Sequence, residues 1–190
     1  MTSSKTPVFV DVDGVINAAA PDSMAWPLDT WRSTRFYVRS LGLGLKIHWS
    51  TALIEALREV EALPGVEMVW LTTWEWRAAE YLAPVIGIGH AWRYEDSAAW
   101  RKRAPQPFLD WWKADVVRAA LGHADRVVWL DDDISSWVHL AQIFKRPERV
   151  DWMDPIRLLS VCPSSHSGLS IDNVAAVRRF IEMGERPCLD

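Results

Sequence analysis

The sequence predicts an α/β fold with a mainly parallel β-sheet covered by helices on both faces. Short apolar runs rich in β-branched residues alternate along the chain with segments in which apolar residues recur every three or four positions. This alternation is typical of parallel strands joined by helices. Because no internal repeat or low-complexity linker divides the chain, and because 190 residues suffice for one substantial core, we expect a single domain over residues 1–190.

The first third of the chain predicts a strand, a hairpin and a helix. The short apolar run PVFVDV (7–12) predicts a buried strand, whereas the segment 18–34 contains two prolines and is predicted to be irregular. Apolar and polar residues alternate in RFYVRS (35–40) and LKIHW (45–49), which flank LGLG and therefore predict a β-hairpin. Ser50 is a favourable N-cap for a helix that the following Pro-Gly pair ends.

The rest of the chain predicts further strands and helices. Three apolar runs predict strands: VEMVWL (66–71), RVVWL (126–130) and IRLLSV (156–161). Four segments have the periodicity of helices: WRAAEYL (76–82), PFLDWWKADVVRAALG (107–122), SSWVHLAQIF (135–144) and IDNVAAVRRFIEM (171–183). IGIGHAW (86–92) predicts a short strand, and CPSSHSGLS (162–170) predicts a loop.

Composition excludes several classes of protein. The formal net charge of −4 argues against the broad basic surface of a non-specific nucleic-acid binder. Cys162 and Cys188 lack the spacing of a structural zinc site or a disulfide framework. We expect a soluble, cytoplasmic protein with no membrane partner, because no apolar run is long enough to span a bilayer or serve as a signal peptide. The 13 tryptophans are expected mostly in the core.

Polar side chains follow three of the predicted strands. DVDG (11–14) ends the first, TT (72–73) ends the second, and DDD (131–133) ends a later one. Each acidic cluster alone would also suit a turn or a helix N-cap, as Asp133 would before ISSW. In an open α/β sheet, however, the carboxyl ends of the strands form the ligand site. Carboxylates clustered there repel one another unless a cation neutralises them, so the sequence predicts bound Mg²⁺.

The motif order resembles that of a known enzyme superfamily. Four segments resemble the four sequence motifs of the haloacid dehalogenase (HAD) superfamily of phosphohydrolases: DVDGVIN (11–17), VWLTT (69–73), WWKADVV (111–117) and VVWLDDD (127–133). The LDDD ending and HSGLS (166–170) look most like the small HAD domains found with RNA-repair proteins. The resemblance implies a Rossmann-like, three-layer α/β/α sandwich in which residues 18–49 form a small insertion with a β-hairpin flap, without a large cap.

The resemblance also implies catalytic roles. Asp11 would be the nucleophile that takes the phosphoryl group as an aspartyl-phosphate. Asp13 would protonate the leaving oxygen and later help to activate water. Thr72 would hydrogen-bond a phosphoryl oxygen, with Thr73 as the neighbouring candidate. Lys113 would stabilise the charge of the nucleophile and of the transferring phosphoryl group.

The same resemblance implies ligands for the metal and for the substrate. Asp132 is the preferred direct Mg²⁺ ligand, together with Asp11 and the backbone carbonyl of Asp13, while Asp131 supports or shares that role. Gly14 would allow a sharp turn that brings backbone amides toward the substrate phosphate. Because members that resemble true dehalogenases lack the second aspartate of the first motif, its presence here favours phosphate chemistry.

These roles predict a Mg²⁺-dependent phosphomonoester hydrolase whose substrate is a small phosphorylated metabolite or nucleotide. One alternative is a phosphatase of RNA or DNA ends, and a second is a non-catalytic Mg²⁺-binding regulatory module. Nucleic-acid ends are favoured by basic and aromatic residues expected around the mouth of the site: Arg32, Arg35, Arg39, Lys46, WRKR (100–103), Trp49, Trp74 and Trp76. Trp74 is a candidate to stack on a base, and His48 and His166 are candidates to border the site.

Overall fold

The computed structural model describes residues 5–38, 42–103 and 111–185. These residues form seven strands: β1 (Thr6–Val10), β2 (Trp31–Val38), β3 (Leu43–Ser50), β4 (Val66–Trp70), β5 (Arg93–Tyr94), β6 (Val127–Leu130) and β7 (Leu158–Val161). They also form six α-helices: α1 (Thr51–Glu61), α2 (Ala83–Ile86), α3 (Ser97–Arg103), α4 (Trp112–Leu121), α5 (Ile134–Ile143) and α6 (Ile171–Glu185). None of these helices combines the length and the apolar character needed to cross a lipid bilayer.

Five of the strands form one parallel sheet with β1 at its centre. The strand order is β5-β4-β1-β6-β7, and every neighbouring pair is parallel. The chain leaves β1 for β4 on one side and later returns to β6 on the other side. The connections therefore diverge at the carboxyl end of β1, which is where open α/β sheets bind their ligands.

Helices cover both faces of this sheet. Successive residues of β1 point to opposite faces: Val8 and Val10 pack in the cluster that contains α1, α2 and α6, while Phe9 packs with α4 and α5. All three side chains are fully buried. Burial on both faces explains why the strands read as uninterrupted apolar runs. The prediction of a parallel sheet between two helical layers is confirmed.

A β-hairpin lies apart from the main sheet. Strands β2 and β3 pair antiparallel, from Trp31 opposite Ser50 to Val38 opposite Leu43. The hairpin is confirmed, but the prediction that the segment 18–34 is irregular throughout is wrong, because β2 already begins at Trp31. Both prolines of that segment precede a short 3₁₀ turn, Leu28–Thr30, so nothing prevents an extended backbone after it. Predicted strand residues 39 and 40 lie outside the described residues.

Two further predictions need correction, and most other elements are confirmed with shifted ends. The helix predicted for 76–82 is a π-helix over Ala78–Leu82 that continues directly into α2. The strand predicted for 86–92 is wrong, because Gly87 and Gly89 adopt positive φ angles of 84° and 88° that interrupt an extended run. Pairing with β4 occurs instead at the two residues of β5. Helix α3 was not predicted. The helix predicted for 107–122 is described only from residue 111 onward, and it begins at Trp112.

Ser50 joins the hairpin to the first helix. Its side-chain oxygen accepts hydrogen bonds from the amides of Ala52 at 3.1 Å and Leu53 at 3.4 Å, as its predicted N-cap role requires. The same oxygen lies 2.8 Å from the hydroxyl oxygen of Thr30, in the 3₁₀ turn before β2. Ser50 is fully buried. One hydroxyl therefore fixes the base of the hairpin to the start of α1.

We expect Ser50→Ala to lower the free energy of unfolding by about 1–2 kcal/mol, because the change leaves buried first-turn amides without an acceptor. Ser136→Ala is the matched control, since Ser136 is exposed within α5 and alanine is a good helix former. Denaturation by urea, monitored by circular dichroism, measures both. Equal effects of the two substitutions would show that the cap does not stabilise the fold.

Candidate functional site

Three aspartates meet at the carboxyl ends of β1 and β6. The amide of Asp11 donates to the carbonyl of Leu130 at 3.0 Å, and the amide of Asp131 donates to the carbonyl of Val161 at 3.1 Å. These bonds continue the sheet ladder and place the two carboxylates side by side. Asp11, Asp131 and Asp132 each offer one carboxylate oxygen, and the three atoms lie within 4.8 Å of one another. The predicted meeting of the first and last acidic clusters is confirmed.

A buried lysine bridges two of these aspartates. Lys113 lies in the first turn of α4, and its Nζ donates to Oδ2 of Asp11 at 2.6 Å and to Oδ2 of Asp131 at 2.7 Å. The other carboxylate oxygens accept backbone amides: that of Val12 at 2.7 Å for Asp11, and that of Asp133 at 2.9 Å for Asp131. Asp133 occupies the N-cap position of α5, but its side chain makes no capping hydrogen bond. One ammonium group is thus the shared counter-charge of two carboxylates.

The charges at this site are unbalanced. Burial, and then the charge of Asp11, raises the pKa of Asp131 to about 7. Burial, followed by the charges of Asp133 and Asp11, raises the pKa of Asp132 to about 6. Burial also raises the pKa of Asp11, although Lys113 opposes the effect. For Lys113 burial disfavours the charge, but Asp11 and Asp131 outweigh it and raise its pKa. A further cation would hold all three carboxylates ionised.

The donor set fits a hard divalent cation. Carboxylate oxygens are the ligands that Mg²⁺ prefers, and three of them converge here beside a single ammonium. Asp131 is fully buried and Asp132 is half-buried, so the group lies at the bottom of the site rather than on an open surface. The residues present therefore fit Mg²⁺ at Asp11, Asp131 and Asp132.

Asp13 lies beside the acidic group and not within it. Its Oδ2 accepts the indole N–H of Trp74 at 2.8 Å, and its Oδ1 accepts the side-chain amide of Asn17 at 2.8 Å. Val12, between the two aspartates, is fully buried as predicted. The carboxylate of Asp13 is not one of the three that converge, so the metal role predicted for Asp13 rests on its backbone carbonyl alone and stays a prediction.

The three residues 72–74, which follow β4 closely, differ from one another in burial and in contacts. Thr72 is fully buried, and its hydroxyl hydrogen-bonds the carboxyl group of Asp11 and accepts the amide of Trp74 at 3.3 Å. Thr73 is exposed and lines a cavity. Trp74 is only 8% exposed. Its ring therefore has little open surface on which to stack a base, and we interpret it as a group that positions Asp13.

Gly14 has a role that the sequence did not indicate. Its φ angle is +70°, and a Cβ atom there would lie 2.1 Å from Oδ2 of Asp132. Its own amide donates to the carbonyl of Asn17 at 2.9 Å, and the prediction that the turn brings backbone amides toward a phosphate stays a prediction. The sharp turn is confirmed. Because Gly14 has no side chain, the Asp132 carboxylate can lie directly against its backbone. This close approach arises because β1 and β6 are neighbours in the sheet.

Two cavities flank Asp13, and the hairpin forms a wall of both. A cavity of about 160 Å³ lies on the side of Thr73 and Trp74. A larger one, of about 370 Å³, is lined by the following residues: Asp13, Gly14, Asn17, Ala18, Ala19, Lys46, His48 and Ser165. Sequence reasoning missed Asn17, although it ends the DVDGVIN segment, and it named His166 where the neighbouring Ser165 lines the cavity.

Four of the other basic and aromatic candidates, Arg32, Trp49, Trp76 and Trp100, line neither cavity. Arg32 donates to the carbonyls of Asp29 and Trp31, each at 2.8 Å. Trp49 is 8% exposed and packs in the core, and half-buried Trp76 packs against Tyr81. The WRKR segment lies in α3, where the indole of Trp100 donates to a carboxylate oxygen of Glu95 at 2.9 Å. Arg39 lies outside the described residues.

Comparisons with protein-family models, with curated proteins and with solved structures find no match for this chain. The chemistry of the site depends on the geometry of its own residues. That geometry offers a triad of convergent carboxylates, a buried ammonium on two of them, and a fourth carboxylate aimed at an open cavity. Such a set suits the binding of a divalent cation and of an anionic substrate.

We expect Gly14→Ala to displace the Asp132 carboxylate and to weaken Mg²⁺ binding. The new methyl group would overlap that carboxylate, and alanine is strained at positive φ, at a combined cost of about 1–3 kcal/mol. Gly42→Ala is the matched control, because Gly42 also has a positive φ, of +64°, but the atom nearest to a Cβ there lies 3.8 Å away. Calorimetric titration with Mg²⁺ measures the effect, and unchanged Mg²⁺ affinity in Gly14→Ala would contradict this role of Gly14.

The stabilisation by Mg²⁺ should increase with pH. A carboxyl group whose pKa is higher in the folded protein than in the unfolded chain takes up protons on folding. The pKa values of about 7 for Asp131 and about 6 for Asp132, against an ordinary 3.8, therefore lower the free energy of unfolding of the metal-free protein as the pH rises from about 4 to 7. Mg²⁺ competes with these protons, so its effect on Tm should be larger at about pH 7.5 than at about pH 5.5.

Thermal unfolding with Mg²⁺ or with chelator at both pH values measures this difference. Asp132→Asn should reduce the Mg²⁺-dependent rise in Tm, whereas Asp133→Asn should preserve it, because the exposed Asp133 side chain is not among the three convergent carboxylates. A rise of the same size at both pH values would contradict the competition between protons and the cation.

Proposed function

We propose that this protein is a Mg²⁺-dependent phosphomonoester hydrolase of the HAD type that acts through an aspartyl-phosphate on Asp11. The observation that carries the proposal is the shared ammonium of Lys113, which contacts Asp11 and Asp131 at the carboxyl ends of neighbouring strands, where Asp132 completes a set of metal-binding oxygens. The resemblance of four segments to HAD motifs supports the same assignment, because the motifs contain Asp11, Lys113 and the Asp131–Asp132 pair in the same order along the chain.

Asp11 is the group best placed to attack phosphorus. One carboxylate oxygen forms a bond to the phosphorus atom while the ester bond to the leaving oxygen breaks, which leaves an aspartyl-phosphate. The amide of Val12, the hydroxyl of Thr72 and the ammonium of Lys113 fix the carboxylate. An orientation fixed in advance lowers the entropic cost of attack.

The charge at the reacting centre is balanced by Lys113 and by the cation. Lys113 stabilises the developing negative charge on the phosphoryl oxygens from a buried position, where electrostatic interactions are strong. Mg²⁺, held by Asp11, Asp131 and Asp132, would offset the repulsion between these carboxylates and an anionic phosphate.

Asp13 acts as the general acid and then as the general base. In the first step it donates a proton to the leaving oxygen, and in the second it accepts one from the water that attacks the aspartyl-phosphate, which releases phosphate and restores Asp11. Trp74 and Asn17 hold its two oxygens, and both cavities border it. Asp13 therefore marks the side of the site on which the leaving group lies.

The size of the larger cavity favours a small substrate. The larger cavity has a volume of about 370 Å³, which is in the range of pockets for metabolites and nucleotides. We interpret the β2–β3 hairpin as the flap, since β3 forms one wall of the space beside Asp13. Hydrolysis also separates this proposal from a non-catalytic Mg²⁺-binding module, which would bind the cation without releasing phosphate.

Two substitutions test the assigned roles by their dependence on the leaving group. Asp11→Asn should lower kcat by roughly 10³-fold or more for every phosphomonoester, because it removes the nucleophile. Asp13→Asn should lower kcat/KM, which reports formation of the aspartyl-phosphate, by roughly 10²–10⁴-fold for an alkyl phosphate but much less for p-nitrophenyl phosphate, whose leaving phenolate needs no proton.

Phosphate release by the purified protein, with Mg²⁺ or with chelator, measures these effects. Asp151→Asn, in an exposed loop, controls for the loss of a carboxylate as such. Mg²⁺-dependent turnover that survives Asp11→Asn would overturn the proposed mechanism, and equal losses of kcat/KM on both kinds of ester would remove the role of Asp13 as the acid.

A further inference from the structure

Lys46 lies in the walls of both cavities that border Asp13. It belongs to β3, its side chain is exposed, and no carboxylate within the described part of the chain forms an ion pair with it. His48 lines the larger cavity on the same face of the strand. Burial, and then the charge of Lys46, lowers the pKa of His48, so its imidazole is neutral near pH 7. Lys46 therefore supplies the positive charge of this wall.

A second cation lies directly opposite Lys46 in the hairpin. The register pairs Arg35 with Lys46, so the two side chains are neighbours on one face of the hairpin, although only Lys46 lines the cavities. Arg35 is exposed and, among the described residues, forms no ion pair either. Two like charges directly opposite each other destabilise an antiparallel pair. A bound anion would relieve this repulsion.

The position of Lys46 indicates which part of a substrate it meets. Lys113, which contacts Asp11 and Asp131, already stabilises the charge of the reacting phosphoryl group. Neither cavity is lined by Asp11, Asp131 or Asp132, whereas both are lined by Asp13, the residue assigned to the leaving oxygen. An anion beside Lys46 would therefore belong to the leaving group and not to the phosphate under attack.

We propose that Lys46, supported by Arg35, binds a second phosphate group in the leaving-group part of the substrate. This inference rests on the proposed hydrolase function, because that function defines the leaving-group side. The shared chemistry is a phosphomonoester with another phosphate close by, which is found in a bisphosphorylated small molecule and in the phosphodiester next to a phosphorylated nucleic-acid end.

Equilibrium binding tests the subsite without turnover. The Asp11→Asn protein is titrated calorimetrically, in Mg²⁺, with adenosine 5′-monophosphate, adenosine 3′,5′-bisphosphate and the 5′-phosphorylated dinucleotide pApA. We expect at least one of the ligands with a second phosphate to bind on the order of tenfold more tightly than the monophosphate, because a charge-assisted contact to phosphate is added. The preferred one of the two identifies the source of the second phosphate.

Lys46→Met, added to this protein, should remove most of that advantage while changing the affinity for the monophosphate little. Lys145→Met is the matched control, since Lys145 is exposed beyond the far end of α5, and it should preserve the advantage. Lys46→Met should also leave the Tm of the ligand-free protein equal or higher, because it removes the repulsion with Arg35. A second phosphate that brings no advantage, or an advantage that survives Lys46→Met, would overturn the proposal.

Turnover of p-nitrophenyl phosphate by the wild-type protein separates this result from the proposed function, because that substrate has no second phosphate. Mg²⁺-dependent hydrolysis, together with an affinity for the second phosphate that Lys46→Met does not change, would support the hydrolase and overturn the subsite. Absence of hydrolysis together with Lys46-dependent binding of a second phosphate would overturn the hydrolase and support an anion site on the hairpin.

Discussion

The contact of one buried ammonium with two buried carboxylates is the interaction on which this site depends. Lys113 joins α4 to the ends of β1 and β6, and its side chain and those of Asp11 and Asp131 are each less than one-tenth exposed. Removing Lys113 would leave two buried carboxylates without compensation, which is among the most destabilising changes a core can suffer. Replacing Asp11 by asparagine instead leaves the ammonium paired with Asp131. The same three charges create the local excess of negative charge that fits a cation. The geometry of the site and its fit to a cation therefore have one cause.

Tryptophan rings form the surroundings of this contact on one side. Four of them form one cluster that includes Trp129 of β6, and the ring centroids of contacting pairs are 5.0–6.4 Å apart: Trp111, Trp129, Trp137 and Trp152. The Nζ atom of Lys113 lies 5.5 Å from the centroid of Trp111. These rings exclude water from the back of the ion pair, and the low polarity strengthens its electrostatic interactions. The high tryptophan content is thus mainly a matter of packing, as the composition indicated.

The sequence predicted what depends on local pattern. The strands buried on both faces appear as apolar runs, and their ends appear as abrupt changes to aspartate or threonine, so both the sheet and the meeting of Asp11 with Asp131 could be inferred. Strand β5 was missed because two residues are too few to show a period. The role of Gly14 and the contact of Trp74 with Asp13, 61 residues apart, depend on which elements become neighbours, and one sequence does not contain that information.

A single side-chain amide connects the hairpin to Asp13. Asn17 donates to Oδ1 of Asp13 through its nitrogen, and its oxygen accepts the backbone amide of His48 at 3.0 Å. The amide group is planar and rigid, so one orientation serves both partners. Any displacement of β3 relative to β1 must either break one of these bonds or rotate the Asp13 carboxylate with it. The position of β3 and the orientation of the Asp13 carboxylate therefore change together.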